Sequence, residues 1–347
     1  MSSPARPPAL FVCSPEAYDL AYGPDERTDV ARLAELLGPP LTADRLASHP
    51  ELLVRAEVIL SSWGAPLVDE DLLARAPRLQ AVFYAAGAVG GWMTEAAWDR
   101  GVLVTTAASG NAVPVAEFTL ATILLSQKHA WRLARQTRAD RSYHDRGAIP
   151  GNYRSTVGLI SLGVIARTLL DLLRPFDLDV LVYDPFLTDA DAEALNVRRV
   201  SLEELFRRCD VVSLHAPDLP ETRGLITGTH IASMRTGATF INTARGVIVR
   251  EEELLDVLAT RPDLQAVMDT ATHEPPPPDS RLYTLDNVVL TPHIAGSVGP
   301  ECRRMGRMMV QELERYVRRE PLKWGLTRES AMRTAHRPQR SGRRGGA

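Results

Sequence analysis

The feature that most restricts the fold is a rhythm. Short runs rich in Val, Ile and Leu recur along the chain, separated by stretches with helical patterning. The runs are ALFVC, AEVILSS, LQAVFY, GVLVTT, TVGLIS, DVLVYD, DVVSLH, ATFINTA, LQAVMD and NVVLT. Between them lie TDVARLAELL, VIARTLLDLLRPF, SLEELFRRC and REEELLDVLA. Apolar strands alternating with helices predict an α/β fold with parallel sheets covered by helices on both faces. Ser201, three residues before Glu204, has the spacing of a capping box and marks one helix start.

At 347 residues the chain can form two such domains, each with its own core. One segment breaks the rhythm: from Val113 to about Arg138 the pattern predicts a single long helix, of the kind that crosses between domains. The amphipathic run GPECRRMGRMMVQELERYVRR would return the chain to the first domain. The expected arrangement is therefore an insertion. Residues 1–111 and 299–324 form one domain, residues 112–298 form the other, and residues 325–347 form a tail. That tail carries six arginines, one acid and little apolar content, and is expected to be disordered.

Composition narrows the function classes. A chain 45% hydrophobic and 24% charged, with net charge −3, is ordinary for a soluble globular protein and gives no electrostatic reason for a nucleic-acid or membrane partner. No apolar run approaches the roughly 20 residues that span a bilayer. The opening MSSPARPPALFVCSPEAYDL lacks the basic segment and sustained apolar stretch of a secretory signal. Cys13, Cys209 and Cys302 are odd in number and far apart, with no CxxC, which fits a reducing compartment without a disulfide framework or a metal site. A soluble, cytoplasmic protein is expected.

Residues 156–186, TVGLISLGVIARTLLDLLRPFDLDVLVYDPF, read as strand, tight turn, helix and second strand ending in an acid, the layout of a dinucleotide-binding βαβ unit. The three fingerprint positions hold Ser161, Gly163 and Ala166. Gly163 is the position that lets the backbone approach a pyrophosphate, and Ala166 suffices for close helix–strand packing. Ser161 departs from the pattern, since the first position favours a residue tolerant of unusual backbone angles. Asp184 ends the second strand 21 residues after Gly163, where a carboxylate accepts hydrogen bonds from ribose hydroxyls and repels a 2′-phosphate. NAD is thereby favoured over NADP. A strand–glycine–helix unit can also occur without any ligand.

In NVVLTPHIAGS, residues 287–297, Pro292 stops an apolar run and His293 follows it at a strand end, where α/β proteins place their chemistry. Alone, such a histidine is an ordinary loop residue. Three motifs change that. FINTARGVIVREEEL, VMDTATHEPPPPDSRLYTLDNVVLTPHIAGS and VSLHAPDLPETRGLI resemble, in order and spacing, segments of the D-isomer-specific 2-hydroxyacid dehydrogenases. This family also includes phosphoglycerate, glyoxylate, formate and phosphite dehydrogenases. The resemblance runs from about residue 54 to residue 320. It implies a Rossmann NAD-binding domain inserted in a flavodoxin-like substrate domain, both doubly wound parallel sheets. It also implies that His293 is the acid/base, Glu274 its supporting acid and Arg245 the substrate-binding arginine.

The chemistry agrees with those types. Reducing a 2-oxo acid takes a hydride donor, a proton donor near neutral pH and a planar cation for the carboxylate. His273, next to Glu274, is expected to be structural or solvent-exposed. The resemblance further implies Val164 and Ile165 under the pyrophosphate and His215, Ala216 and Pro217 along the cofactor loop. Thr243 and Ala244 precede Arg245, Asp269 holds the nicotinamide amide, and Gly296 closes the nicotinamide side. In YAAGAVGG, backbone N–H groups around Ala86 and Gly87 would bind the substrate carboxylate, with no lysine or extra arginine for a phosphorylated substrate. The family is usually dimeric through the cofactor domain. Val164 stands where many members carry an arginine on the phosphates. Formate oxidation is disfavoured because that branch has Gln in place of Glu274. Phosphite oxidation and an NAD-sensing co-repressor or scaffold role are the alternatives to 2-oxo acid reduction.

Overall fold

A computed structural model of the protein describes residues 6–143 and 145–332. The chain divides into two compact units, one of residues 1–111 and 297–347, the other of residues 112–296.

The first unit holds a parallel sheet of β1 (Pro8–Val12), β2 (Glu35–Leu36), β3 (Val58–Ser61), β4 (Ala81–Tyr84) and β5 (Leu103–Thr106), in the order β2-β1-β3-β4-β5. This is the flavodoxin-like order. Alternate residues of each strand serve opposite faces. Leu10, Ile59, Val82 and Val104 enter one core, while Ala9, Phe11, Leu60 and Phe83 enter the other beneath the helix Cys302–Val317. Each fully buried Leu or Phe contributes roughly 1.5–3 kcal/mol, so strands buried on both faces are held firmly.

The second unit holds β6 (Thr156–Ile160), β7 (Asp179–Tyr183), β8 (Arg198–Arg199), β9 (Val211–Leu214), β10 (Thr239–Asn242), β11 (Gln265–Met268) and β12 (Val288–Leu290). All seven are parallel, in the order β12-β11-β10-β9-β6-β7-β8. From β6 the chain builds outward through β7 and β8, then returns to lay β9 on the other side of β6. That reversal is the switch point of a Rossmann sheet, the place where such folds leave a crevice for a ligand.

All ten predicted apolar runs form strands. The two unpredicted strands, β2 and β8, are two-residue exposed edges with no apolar run to announce them.

Three expectations are corrected. The single helix from Val113 to Arg138 is two helices, Ala108–Ser126 and Ala130–Asp140. His129 lies between them in the left-handed region at φ 49°, and its N–H donates to the Ser126 carbonyl, closing off the first helix. Against the expectation that no apolar run approaches a membrane span, the first of these helices is long and apolar enough to cross a membrane by length and composition. Here its Ala116 and Ile123 are fully buried against Val157 and Leu159, in the core of the second unit.

The tail is not disordered from residue 325. Gly325 bridges Thr105, the Leu326 N–H donates to the Val104 carbonyl at 2.9 Å, and Arg328–Met332 forms a helical turn with Ala331 buried. β5 is an edge strand, and these residues take up backbone groups it would otherwise leave unpaired. Arg328, read from sequence as part of a solvated basic run, pairs with Asp99 and Glu95. The rest of the expected tail, 333–347, lies outside the described residues.

Candidate functional site

The candidate residues of the second unit gather at one edge of its sheet, the carboxyl ends of the strands. At the end of β6 the chain turns through Ser161, whose φ of 73° costs a non-glycine residue roughly 1 kcal/mol. Hydrogen bonds hold it there. The Ser161 N–H donates to the Tyr183 carbonyl at 2.7 Å, the Leu162 N–H donates to Asp184 Oδ2 at 2.7 Å, and the Ser161 hydroxyl lies 3.4 Å from the same oxygen. Asp184 Oδ1 accepts from the Phe186 N–H at 2.8 Å. The acid that ends β7 therefore ties its own turn to the turn after β6. A carboxylate has about four acceptor positions, so it keeps capacity for a ribose hydroxyl.

Gly163 caps the helix Val164–Leu173 without a side-chain hydrogen bond, and no acid sits in the first turn. The first-turn N–H groups, including those of Val164 and Ile165, have no partner inside the helix and point toward its positive end. A Cβ added at Gly163 would meet nothing within 4 Å, so the approach is open. An uncapped helix N-terminus beside a strand-end carboxylate fits the pyrophosphate and ribose of NAD.

Across the switch point, the His215 N–H donates to the Ile160 carbonyl at 2.9 Å, joining the ends of β9 and β6. The His215 ring is buried, and its Nε2 lies 3.0 Å from the Ser213 hydroxyl. Burial pushes its pKa down to about 4, so it is a neutral wall at physiological pH. Ala216 is buried beside it and Pro217 half-buried.

At the end of β10, the fully buried Asn242 braces the arginine segment. Its Oδ1 accepts from the Ala244 N–H at 3.0 Å and its Nδ2 donates to the Arg245 carbonyl at 3.1 Å. Arg245 Nη1 donates to the Ala244 carbonyl at 2.6 Å. Thr243 is buried, its hydroxyl 3.3 Å from that of Thr119. Gly246 must be glycine, because an added Cβ would stand 2.0 Å from the Ala271 carbonyl carbon. The arginine loop can lie against the loop after β11 only through that close approach.

That second loop carries Glu274, and the loop after β12 carries His293 in the left-handed region at φ 56°. His293 Nδ1 lies 2.8 Å from Glu274 Oε2, both side chains being partly exposed. Nε2 has no hydrogen-bond partner among the described residues, leaving it the nitrogen open to a ligand. His273 is exposed beside this pair and takes no part in it.

Asp269, at the end of β11 and 2% exposed, anchors the histidine loop. Its Oδ1 accepts from the Thr291 hydroxyl at 2.5 Å and the Ile294 N–H at 2.9 Å, and its Oδ2 from the Ala295 N–H at 2.9 Å. Gly296 closes that loop and the second unit. Ala86 and Gly87 belong to the first unit, just after β4; Ala86 is buried and Gly87 has open space around its Cα. No group of His, Cys, Asp and Glu among the described residues could hold a metal ion.

Sequence reading missed Asn242, Thr291 and Thr119. Their side chains act on backbone or on other site residues, and nothing in spacing reveals such a bond. The one available signal is a polar residue inside an apolar run, as with Asn242 in ATFINTA.

Residues 120–295 match the family model described as D-isomer specific 2-hydroxyacid dehydrogenase, NAD binding domain. The chain is 30% identical over 298 residues to D-3-phosphoglycerate dehydrogenase of Methanocaldococcus jannaschii, covering 84% of this chain and 56% of that enzyme. It is 34% identical over 251 residues to (S)-sulfolactate dehydrogenase of Chromohalobacter salexigens, covering 72% of this chain and 81% of that protein. The chain thus spans about half the length of the phosphoglycerate dehydrogenases it matches, and most of the sulfolactate enzyme. The crystal structure of a phosphoglycerate oxidoreductase from Rhizobium etli shares the fold, with TM-score 0.80 at 22% identity, over 94% of this chain and 99% of that one.

Proposed function

The chain belongs to the D-isomer specific 2-hydroxyacid dehydrogenase family, and from that premise we propose that it interconverts a 2-oxo acid and an (R)-2-hydroxy acid with NAD. The observation that carries this reading is the His293–Glu274 pair at 2.8 Å, on the same sheet edge as the turn that fits the cofactor.

When bound, NAD supplies the hydride for reduction, or accepts it in the reverse direction. His293 donates a proton from Nε2 to the substrate carbonyl oxygen and takes it back on oxidation. Glu274 holds the ring through Nδ1, so that Nε2 is the exchanging nitrogen. Arg245 offers its planar fork to the substrate carboxylate, its backbone fixed by Asn242. Asp269 keeps the histidine loop in place while Nε2 gains and loses charge. Asp184 accepts from the adenosine ribose, and the backbone of Gly163, Val164 and Ile165 receives the pyrophosphate.

The same reading extends to a cytoplasmic homodimer formed through the NAD-binding unit, where Leu125 stands 46% exposed on an apolar helix. Sedimentation in solution checks that part. The central test is steady-state turnover of a panel of 2-oxo acids with NADH. Stoichiometric NADH oxidation with at least one acid of the panel, giving an (R)-2-hydroxy acid, is the expected result; no turnover across the panel would overturn the proposal.

A further inference from the structure

The helix Val164–Leu173 begins with no cation at Val164, which is 55% exposed. One turn on, at the i+3 position on the same face, stands Arg167. Its Nε reaches back and donates to the Leu162 carbonyl at 3.1 Å, five residues earlier in the chain. The guanidinium is thereby drawn over the turn around Gly163, toward the helix N-terminus.

This is an electrostatically poor place for a cation, because the N-terminal end of a helix already carries the positive end of the macrodipole. A surface arginine so placed is usually compensated by a carboxylate. Arg167 makes no ion pair, and Nε to Leu162 is its one side-chain hydrogen bond among the described residues. Asp184, the acid of that turn, is engaged by the Leu162 and Phe186 N–H groups instead. The cation, the uncapped first-turn N–H groups and the open Gly163 all favour an anion lying across the turn.

We propose that Arg167 supplies the charge that binds the cofactor pyrophosphate, replacing from the second turn the cation absent at Val164. The inference rests on the NAD reading of this site and adds a specific residue to it. The Nε bond fixes the guanidinium plane and leaves both Nη groups to donate to phosphate oxygens. This arrangement has a signature that a structural brace would lack. Removing the charge should weaken ligand binding, yet leave the ligand-free protein as stable as before or slightly more so, since an uncompensated cation leaves the helix N-terminus.

The test is calorimetry of NADH, ADP and adenosine binding to the full chain and to Arg167→Gln, at low and high salt, with thermal unfolding of both ligand-free proteins. Removing one charge-assisted hydrogen bond to phosphate at an exposed position predicts NADH and ADP affinities lower on the order of tenfold. Adenosine affinity should be unchanged, and the fall of NADH affinity with salt should be shallower. Adding Val164→Arg to Arg167→Gln should restore most of that affinity, and Val164→Arg alone should gain less than in that background. Equal weakening of adenosine, or NADH affinity and salt dependence matching the parent, would overturn the proposal. Should Arg167→Gln unfold at a much lower temperature, the brace reading holds and the proposal fails unless Arg167→Lys, which keeps the charge, retains the salt dependence. An unaltered chain that binds neither NADH nor ADP would overturn the NAD reading itself, a result separable from the others.

Discussion

Asp269→Asn isolates the residue that holds the histidine loop. The change keeps size and shape but replaces one acceptor oxygen with an NH2 group. If the remaining oxygen stays with the Thr291 hydroxyl and the Ile294 N–H, at 2.5 and 2.9 Å in the parent, the new NH2 faces the Ala295 N–H at 2.9 Å, donor against donor. Ala295 is 2% exposed, so no water can replace the missing acceptor. An unsatisfied buried N–H costs about 1–3 kcal/mol, and two charge-assisted bonds fall to neutral strength for roughly 1 kcal/mol more. Relief of the buried charge's desolvation offsets part of this. The expected net loss is about 2–3 kcal/mol from the unfolding free energy of the NAD-binding unit, read by urea denaturation of the ligand-free protein. Because the loop carries His293, kcat for 2-oxo acid reduction should fall at least about tenfold, as expected when a general acid is misplaced. Flipping the amide does not help: the Thr291 hydroxyl can turn to accept from the NH2 group, but the Ile294 N–H then faces a donor in place of Ala295. Stability within roughly 0.5 kcal/mol of the parent, the spread of neutral surface substitutions, together with unchanged kcat, would refute the anchoring role.

Three further outcomes are expected. His293→Ala should lower kcat by about 10²–10⁴-fold with little change in NADH affinity, while His273→Ala should leave turnover near the parent; the reverse pattern in steady-state kinetics would put the chemistry on the wrong histidine. NADH should be preferred to NADPH, and Asp184→Asn, which retains an acceptor for the Leu162 N–H, should narrow the gap in kcat/KM; equal efficiency of both cofactors in the parent sinks this. The buried neutral His215 should make stability fall with acid: its folded pKa of about 4 lies below the ordinary 6.5, so the unfolded chain binds the proton first. Stability is therefore intact above about pH 6.5 and lost progressively toward pH 4, by up to about 3 kcal/mol, levelling once both states are protonated. His215→Asn should flatten that part of the urea-stability profile, and an unflattened slope would show that the ring is not buried neutral.

The architecture was legible because parallel strands covered on both faces must be apolar along their length. Runs such as DVVSLH and ATFINTA suit strands buried on both faces, and every one became a strand. What stayed hidden were features decided by backbone pairing and not by side-chain burial. β2 and β8 are two exposed residues each, held by neighbours. Residues 325–332 looked like solvated basic chain, yet their order comes from the free edge of β5 and from Arg328 meeting Asp99 and Glu95, acids more than 200 residues away in sequence. The break at His129 was equally unreadable, since a non-glycine residue in the left-handed region gives no sequence signal of the kind glycine gives.

The site divides along the same line. Glu274 and His293 were picked out because their segment resembles the family's, and the structure sets them 2.8 Å apart at the ends of adjacent strands. The means of holding them there was not readable. Asp269 was expected to serve the nicotinamide, and three of its acceptor positions serve the histidine loop. A carboxylate at a strand end looks the same in sequence whether it faces a ligand or a loop. Ser161 shows the converse. A missing glycine predicts a damaged turn, but the turn keeps its positive φ because Tyr183 and Asp184 take up the freed N–H groups of residues 161 and 162. The roughly 1 kcal/mol of strain at Ser161 is smaller than one charge-assisted bond to a buried or half-buried carboxylate, so the substitution is tolerated where the neighbouring acid is present. Ser161, at the first fingerprint position, and Asp184 are therefore one coupled unit in this chain, and a change at Asp184 reaches the turn after β6 as well as its own.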